Sequence, residues 1–467
     1  MALLGGVAIA ALAPCAAHAQ SAREKQLETR VEQLESDVAA LREELRIERE
    51  ERAKANQRID QADTTATTTA TRVAALEARP APVPMPEPAK PADGFKVGGT
   101  TFKMSGYIKT VAMFSRWDDG DVATGSLGRD FYLPQAIPIG GVRESTDNDC
   151  SAKQTRLGFS FDSSPAGHTL KGYIEADFQT APGTQGSERT TNGYDLALRR
   201  AYVQYDNLTV GQEWSTFQNV VALPESTDFV GATEGTVFVR QPLIRYTKKL
   251  SPQTSLQVAI ENADTASTTL GTTALVDNDD SHLPDLVARL NYSGGLGDFT
   301  LAGVVRQLAV DNGTVSDRAA GWGVSLAGKV PLGTGKVSDL RFMATYGSGI
   351  GRYVGLNFAP DAILDAGAGT LETPNVFAAF GAVRLGIAPS VRVNLIGSYQ
   401  NVDYPGGLPT PALAGLNQQA WSGAGNIFWS PAKGFDLGME YRHGNRKLVS
   451  GAQGQLDRLE FAAKYSF

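Results

Sequence analysis

Arg458-Leu459-Glu460-Phe461-Ala462-Ala463-Lys464-Tyr465-Ser466-Phe467 closes the chain, and its reading decides the fold. Leu459, Phe461, Ala463, Tyr465 and Phe467 fall on one face, with Arg458, Glu460, Lys464 and Ser466 on the other. Side chains that alternate with a period of two mark a strand with one apolar and one polar face. An aromatic residue ending such a strand is the pattern of the last strand of a bacterial outer-membrane barrel, read by the machinery that inserts such barrels.

The opposite end reads as an export signal. Residues 2–13 are small and apolar, and Ala17-His18-Ala19 before Gln20 forms an A-x-A cleavage site, so residues 1–19 are expected to be removed. No Lys or Arg precedes the apolar run, so the true start is expected to lie upstream. Cys15 after Leu12-Ala13-Pro14 resembles a lipoprotein acylation site, but the proline fits that site poorly. Cleavage after Ala19 leaves Cys150 as the one thiol, so no disulfide forms within the chain.

Composition excludes the helical membrane class, since no run of eighteen apolar residues follows the signal. Its 50 glycines and frequent Thr, Val, Tyr and Phe suit many short strands and turns. A net charge of −7 argues against nucleic-acid binding. It says little about a pore, whose preference is set locally.

Between the two ends the pattern divides the chain. Residues 20–79 carry a heptad seam, Leu27, Val31, Leu34, Val38, Leu41 and Leu45, which weakens and recovers at Val73 and Leu76. Apolar residues every 3.5 positions need other helices to cover them, which predicts a periplasmic coiled coil. Arg30-Val31-Glu32-Gln33-Leu34-Glu35 resembles the R-h-x-x-h-E pattern of short parallel trimeric coils. Residues 80–93, with Pro80, Pro82, Pro84, Pro86, Pro88 and Pro91, predict a semi-rigid polyproline spacer rising about 3 Å per residue.

Residues 94–467 predict an all-β domain, a 16-stranded antiparallel transmembrane barrel. Alternating segments begin near Phe102, Gln154, Thr169, Ala197, Leu208, Val237, Thr254, Leu283, Gly297, Ala319, Asp339, Asn375, Ser390, Gln419, Phe435 and Leu456. Short connections such as Asp206-Asn207, Gly294-Gly295 and Ala388-Pro389 alternate with long stretches at 117–152, 180–196, 218–236, 265–282, 349–374 and 401–418. Short periplasmic turns and long outer loops define outer-membrane topology.

Several of these segments carry a family likeness. Gly211-Gln212-Glu213-Trp214-Ser215-Thr216-Phe217, Arg240-Gln241-Pro242-Leu243-Ile244-Arg245-Tyr246, Leu283-Pro284-Asp285-Leu286, Gly349-Ile350-Gly351-Arg352-Tyr353 and the closing segment resemble the DcaP-like trimeric outer-membrane porins. The resemblance spans nearly all of the mature chain. It implies a homotrimer of sixteen-stranded barrels, each preceded by a coil, taking up small anions and dicarboxylates in particular.

In a porin, function lies with lumen-facing residues. Alternation puts Arg156, Lys171, Arg200, Arg245, Arg289 and Arg306 inward as substrate-binding positions, with Tyr173, Glu175, Asp177 and Gln204 beside them. Arg199 and Arg240 fall on the other parity, near strand ends. An arginine facing lipid in mid-strand costs roughly 2–4 kcal/mol. Several guanidinium groups in a low-dielectric wall favour anions, and the planar fork suits carboxylates. The alternative is that these arginines pair with Glu175, Asp177, Glu213, Glu261 and Asp285 and satisfy one another. Loop 218–236 sits where a porin's third loop folds inward, and its Pro224, Glu225 and Asp228 are expected to oppose the basic wall.

Other features are weaker. Asp118-Asp119-Gly120-Asp121 and Asp277-Asn278-Asp279-Asp280 read as solvated loops rather than cation sites. Trp322, Phe342, Tyr346, Phe428, Tyr441 and Tyr465 read as lipid-interface girdles. His168, His282 and His443 form no Ser-His-Asp arrangement. The chain is therefore expected to be no enzyme, to need no cofactor or metal, and to act through outer-membrane lipid and small solutes. The competing roles are a general non-selective porin that tethers the membrane through its coil, and a barrel hydrolase.

Overall fold

The computed structural model describes residues 94–179, 193–333, 335 and 337–467. The expected signal, coiled coil and proline-rich spacer lie outside these residues. Sixteen barrel strands follow in chain order. They are β1 Thr100–Trp117, β2 in two pieces, Ser145–Ser151 and Arg156–Ser163, β3 Leu170–Asp177, β4 Ala197–Tyr205, β5 Leu208–Trp214, β6 Arg240–Lys249, β7 Thr254–Glu261 and β8 Asp285–Gly294. The rest are β9 Gly297–Asp311, β10 Ser316–Leu332, β11 Ser338–Ser348, β12 Asn375–Ala388, β13 Val391–Asp403, β14 Asn417–Ala432, β15 Phe435–Leu448 and β16 Gln453–Ser466.

Each strand pairs antiparallel with the next, and β16 returns to β1 from Tyr107↔Ser466 to Trp117↔Leu456. Closure leaves no free edge, which a wall in lipid requires. The seam is tied at the terminal residue, where Phe467 N–H donates to Gly106 O at 3.1 Å and Gly106 N–H donates to Phe467 O at 3.2 Å.

Alternation sorts the two faces. Ile174, Val203, Ile244, Val258, Leu301, Val305, Leu326 and Leu395 are exposed on the outside, while inward neighbours such as Glu175, Arg245, Arg306, Ser325 and Asn394 are buried. Trp322 and Tyr346 meet edge to face on the outer surface at 5.9 Å. Phe428 departs from its expected girdle role. It stands on the inward parity of β14 and is only 5% exposed, beneath Arg392.

Boundaries differ from expectation in a few places. Val237 bridges Val354 inside the lumen, so β6 begins only at Arg240. The expected loop 117–152 contains the strand piece Ser145–Ser151, which pairs with the outer half of β1. The outer connections after β9 and β15 are short.

Wall height is uneven. β3 to β8 run 7–10 residues, whereas β9 to β16 run 11–17. A tilted strand needs about 9–11 residues to cross a bilayer. Phe217, Val237, Ile350, Tyr353, Val354 and Phe358, from two long loops, pack on the inward faces of Val304, Met343, Val376 and Phe380. Outside the barrel sheet, Thr265–Thr269, Val276–Asn278, Ala362–Asp365 and Thr370–Glu372 form a small four-stranded sheet.

Candidate functional site: the charged lumen

The connection between β5 and β6 folds into the barrel and meets inward side chains around its circumference. Asn219 Nδ2 donates to Thr300 Oγ1 at 2.9 Å, Arg341 to Leu223 O at 2.6 Å, Asn426 Nδ2 to Glu225 O at 2.9 Å and Lys109 Nζ to Thr227 O at 2.5 Å. Glu440 accepts from Ser226 Oγ at 2.7 Å and Thr227 N–H at 3.2 Å. Gly235 lies so close to β12 that an added Cβ would sit 2.4 Å from Ala379 O. Burial raises the pKa of Glu234 in this loop, whose carboxylate takes a bond from Tyr132 Oη at 3.3 Å.

The wall of β2 to β6 carries the arginines that alternation placed inward, together with one it did not. β4 pairs Glu175↔Arg200 and then Ala176↔Leu198, so Arg199 is an extra, bulged residue. A bulge brings two consecutive side chains to one face. Arg199 accordingly turns inward and binds Glu175 at 2.9 Å and Asp177 at 2.5 Å, correcting the parity assignment. Arg200 makes a fork with Glu213, both bonds 2.6 Å, and lies 3.6 Å from Glu175. Arg156 reaches Asp177 at 3.4 Å. On β2 to β5 these three arginines meet three carboxylates, so that part of the wall is close to neutral, in the manner of the pairing alternative. Arg240 stacks on Trp214 at 5.0 Å, at the base of the inward loop.

Three further inward cations have different surroundings. Arg306 is sealed, its side chain 0% exposed between Asp361 at 2.9 Å and Asp285 at 3.4 Å. Arg245 donates to Thr216 Oγ1 at 2.7 Å and to Trp214 O. Arg289 donates to Gln257 Oε1 at 2.6 and 3.0 Å and to Gln218 O. Their hydrogen-bond partners are uncharged, and the carboxylates Glu261 and Glu213 act on them through space rather than by direct contact. Lys171 is exposed near the turn-side rim.

The loop's acidic residues meet a different wall from the expected one. Asp228 is a turn residue, accepting from Tyr132 N–H at 2.6 Å, Val230 N–H at 3.0 Å and Gly231 N–H at 2.9 Å. Pro224 is buried beside it. Glu225 faces β12 and β13, where Arg392 holds it at 2.6–2.9 Å and Arg384 at 3.3 Å. Around this contact, at the short-turn end, stand among the described residues five cations, Lys329, Arg341, Arg384, Arg392 and Lys464, and four carboxylates, Glu225, Asp339, Asp436 and Asp298, the last opposite Lys329 in the β9–β10 register. Reading site residues only on strands two to nine missed this cluster. The same parity rule extended into β10 to β13 and β16 finds all its cations.

The weaker sequence features have local structural roles. Asp118 and Asp119 accept from Gln455 N–H at 2.5 Å and Gly140 N–H at 2.6 Å. His168 and His443 each pair with an aspartate, Asp206 and Asp457, at 2.8 Å. Asp206, in the turn after β4, has its pKa lowered by the Thr169 N–H bond and then by His168. Cys150 is free and exposed.

The profile of the DcaP outer membrane protein family matches residues 133–467. Among solved structures, the chain is similar to the outer membrane channel DcaP of Acinetobacter baumannii, with 26% identity, 80% of this chain and 99% of that chain covered, and a TM-score of 0.65. It is more distantly similar to OmpT of Vibrio cholerae, with 11% identity, 80% and 100% covered, and a TM-score of 0.48. For OmpF of Salmonella typhi the values are 14%, 79% and 98%, and 0.46. No curated protein matches the chain.

Proposed function

This chain belongs to the DcaP outer membrane protein family, and we propose that it is a passive pore admitting small anionic solutes, carboxylates foremost, past an arginine-lined constriction. The observation that carries this reading is the charge imbalance at the short-turn end of the lumen. Among the described residues five cations meet four carboxylates there, and Lys329, Arg384 and Lys464 keep 28–33% of their side chains exposed. Arg245 and Arg289, bonded only to neutral oxygens, add to the positive field. Fixed positive charge in a low-dielectric wall raises the local concentration of anions and opposes cations.

The inward loop with Pro224, Glu225 and Asp228 narrows the passage in this reading. Arg156, Arg200 and Arg306 hold the wall together, and Lys171, Arg245 and Arg289 contribute long-range charge. The low wall of β3 to β8 supports a homotrimer, because strands too short for the hydrocarbon layer are shielded when copies pack there. The heptad seam from Leu27 gives those copies a second contact in the periplasm. Swelling of liposomes containing the purified protein tests the solute preference. Succinate should enter faster than an uncharged solute of equal size, and equal rates would favour a general, non-selective pore.

A further inference from the structure

We infer that Glu225 is a resident competitor for the carboxylate groups of passing solutes, and that Arg384 and Arg392 are the station where those solutes are selected. The inference rests on the anion-pore reading and names the residues at which it acts. Arg392 presents Nε and Nη2 to Glu225 at 2.6–2.9 Å, and Arg384 Nε approaches the same carboxylate at 3.3 Å. The fork of Arg392 Nε and Nη2 on the two oxygens of one carboxylate is the arrangement by which arginine binds a free carboxylate. The pocket is thus a carboxylate site already filled by a side chain of the protein.

Two observations separate this contact from an ordinary structural ion pair. First, the loop does not depend on it. Leu223 O, Glu225 O, Ser226 Oγ and Thr227 N–H are held by Arg341, Asn426 and Glu440, so the backbone on both sides of the Glu225 side chain is anchored independently. The carboxylate can swing away while the loop stays in place. Second, the contact is accessible. The side chains of Arg384, Glu225 and Arg392 are 28%, 24% and 13% exposed, whereas those of the sealed pairs Arg199–Asp177 and Arg306–Asp285 are at most 2% exposed. Arg384 Nε faces Glu225 without a well-directed hydrogen bond, so this half of the contact is the weaker one and yields when the carboxylate moves.

A tethered carboxylate competes at a high effective concentration, which weakens solute binding and speeds release. Conduction requires binding strong enough to admit a solute and weak enough to let it leave. Glu225 supplies the second condition. A solute carboxylate engages Arg384, displaces Glu225 from Arg392, and is expelled when Glu225 returns.

The test uses the full-length protein in planar bilayers, with residence time measured from succinate-induced current interruptions. Glu225→Gln should lengthen residence about tenfold, the factor one charge-assisted bond is worth. Asp436→Asn removes the same charge from the same cluster and should lengthen residence much less. Arg392→Lys in the Glu225→Gln background keeps the charge but loses the fork, and should return residence to the wild-type value or below. Unchanged residence in Glu225→Gln, or equal lengthening in Asp436→Asn, would overturn the competitor role. Failure of the anion-pore reading is distinguishable, because a cation-selective wild type would show it before any variant is made.

Discussion

Arg199 and Arg200 are neighbours in sequence, yet both point into the lumen, because the bulge in β4 places them together opposite Glu175. The Arg199 side chain is 2% exposed and bridges Glu175 and Asp177. Removing one partner of such a buried network leaves unpaired charge in a dry wall, at a cost of about 3–5 kcal/mol. Arg199→Ala should therefore lower the barrel's unfolding midpoint sharply. Arg156→Ala, whose 3.4 Å contact to Asp177 is longer and more exposed, should lower it less. Urea titration in detergent followed by tryptophan fluorescence measures both.

Gly235 marks a close approach of the inward loop's backbone to the wall. A methyl group there would meet Ala379 O at 2.4 Å, with Phe380 Cβ at 2.9 Å. Gly235→Ala should displace the loop and change single-channel conductance while leaving the barrel inserted. Conductance and noise identical to the wild type would show that the loop does not border the conducting path.

Glu234 makes the loop sensitive to pH in one direction. Burial raises its pKa above the ordinary 4.5, so the folded protein keeps a proton that the unfolded chain releases. Stability from this group is fully present below 4.5 and falls as pH rises from there toward the raised folded value. Thermal melts in detergent should show a midpoint that declines with pH over that window, with a smaller decline in Glu234→Gln. Parallel pH profiles would assign the decline to other groups.

Phe467 joins β16 to β1 through a pair of backbone hydrogen bonds with Gly106. Its deletion removes both bonds and the terminal aromatic. The expected outcome is lower outer-membrane yield with secretion intact, measured by fractionating cells at modest expression. Undiminished yield would mean that the insertion signal lies elsewhere in β16.

The barrel was legible because lipid on one side and water on the other force alternation on every strand. Period two located all sixteen strands and both faces of β16. It failed where the backbone breaks period, as at Arg199, and where a parity was not followed, as at Phe428. Charge compensation was less legible. Arg200 pairs with Glu213 on an adjacent strand, but Arg289 finds Gln218 O on the inward loop, and nothing local in the sequence announces such a partner. Glu225 was found as a loop acid, while its partners Arg384 and Arg392 depend on which wall the loop crosses.

Reversal potential in a KCl gradient across a planar bilayer tests the central claim most directly. The wild-type pore should favour chloride, and Arg384→Ala with Arg392→Ala should shift the potential toward cations more than Arg156→Ala with Arg200→Ala, since Glu225 of the inward loop reaches the former pair and the passage is narrowed there. The shift should shrink as salt rises, because mobile ions screen the cluster over about 10 Å at 0.1 M. A wild-type potential on the cation side, or one indifferent to Arg384 and Arg392, would contradict the account.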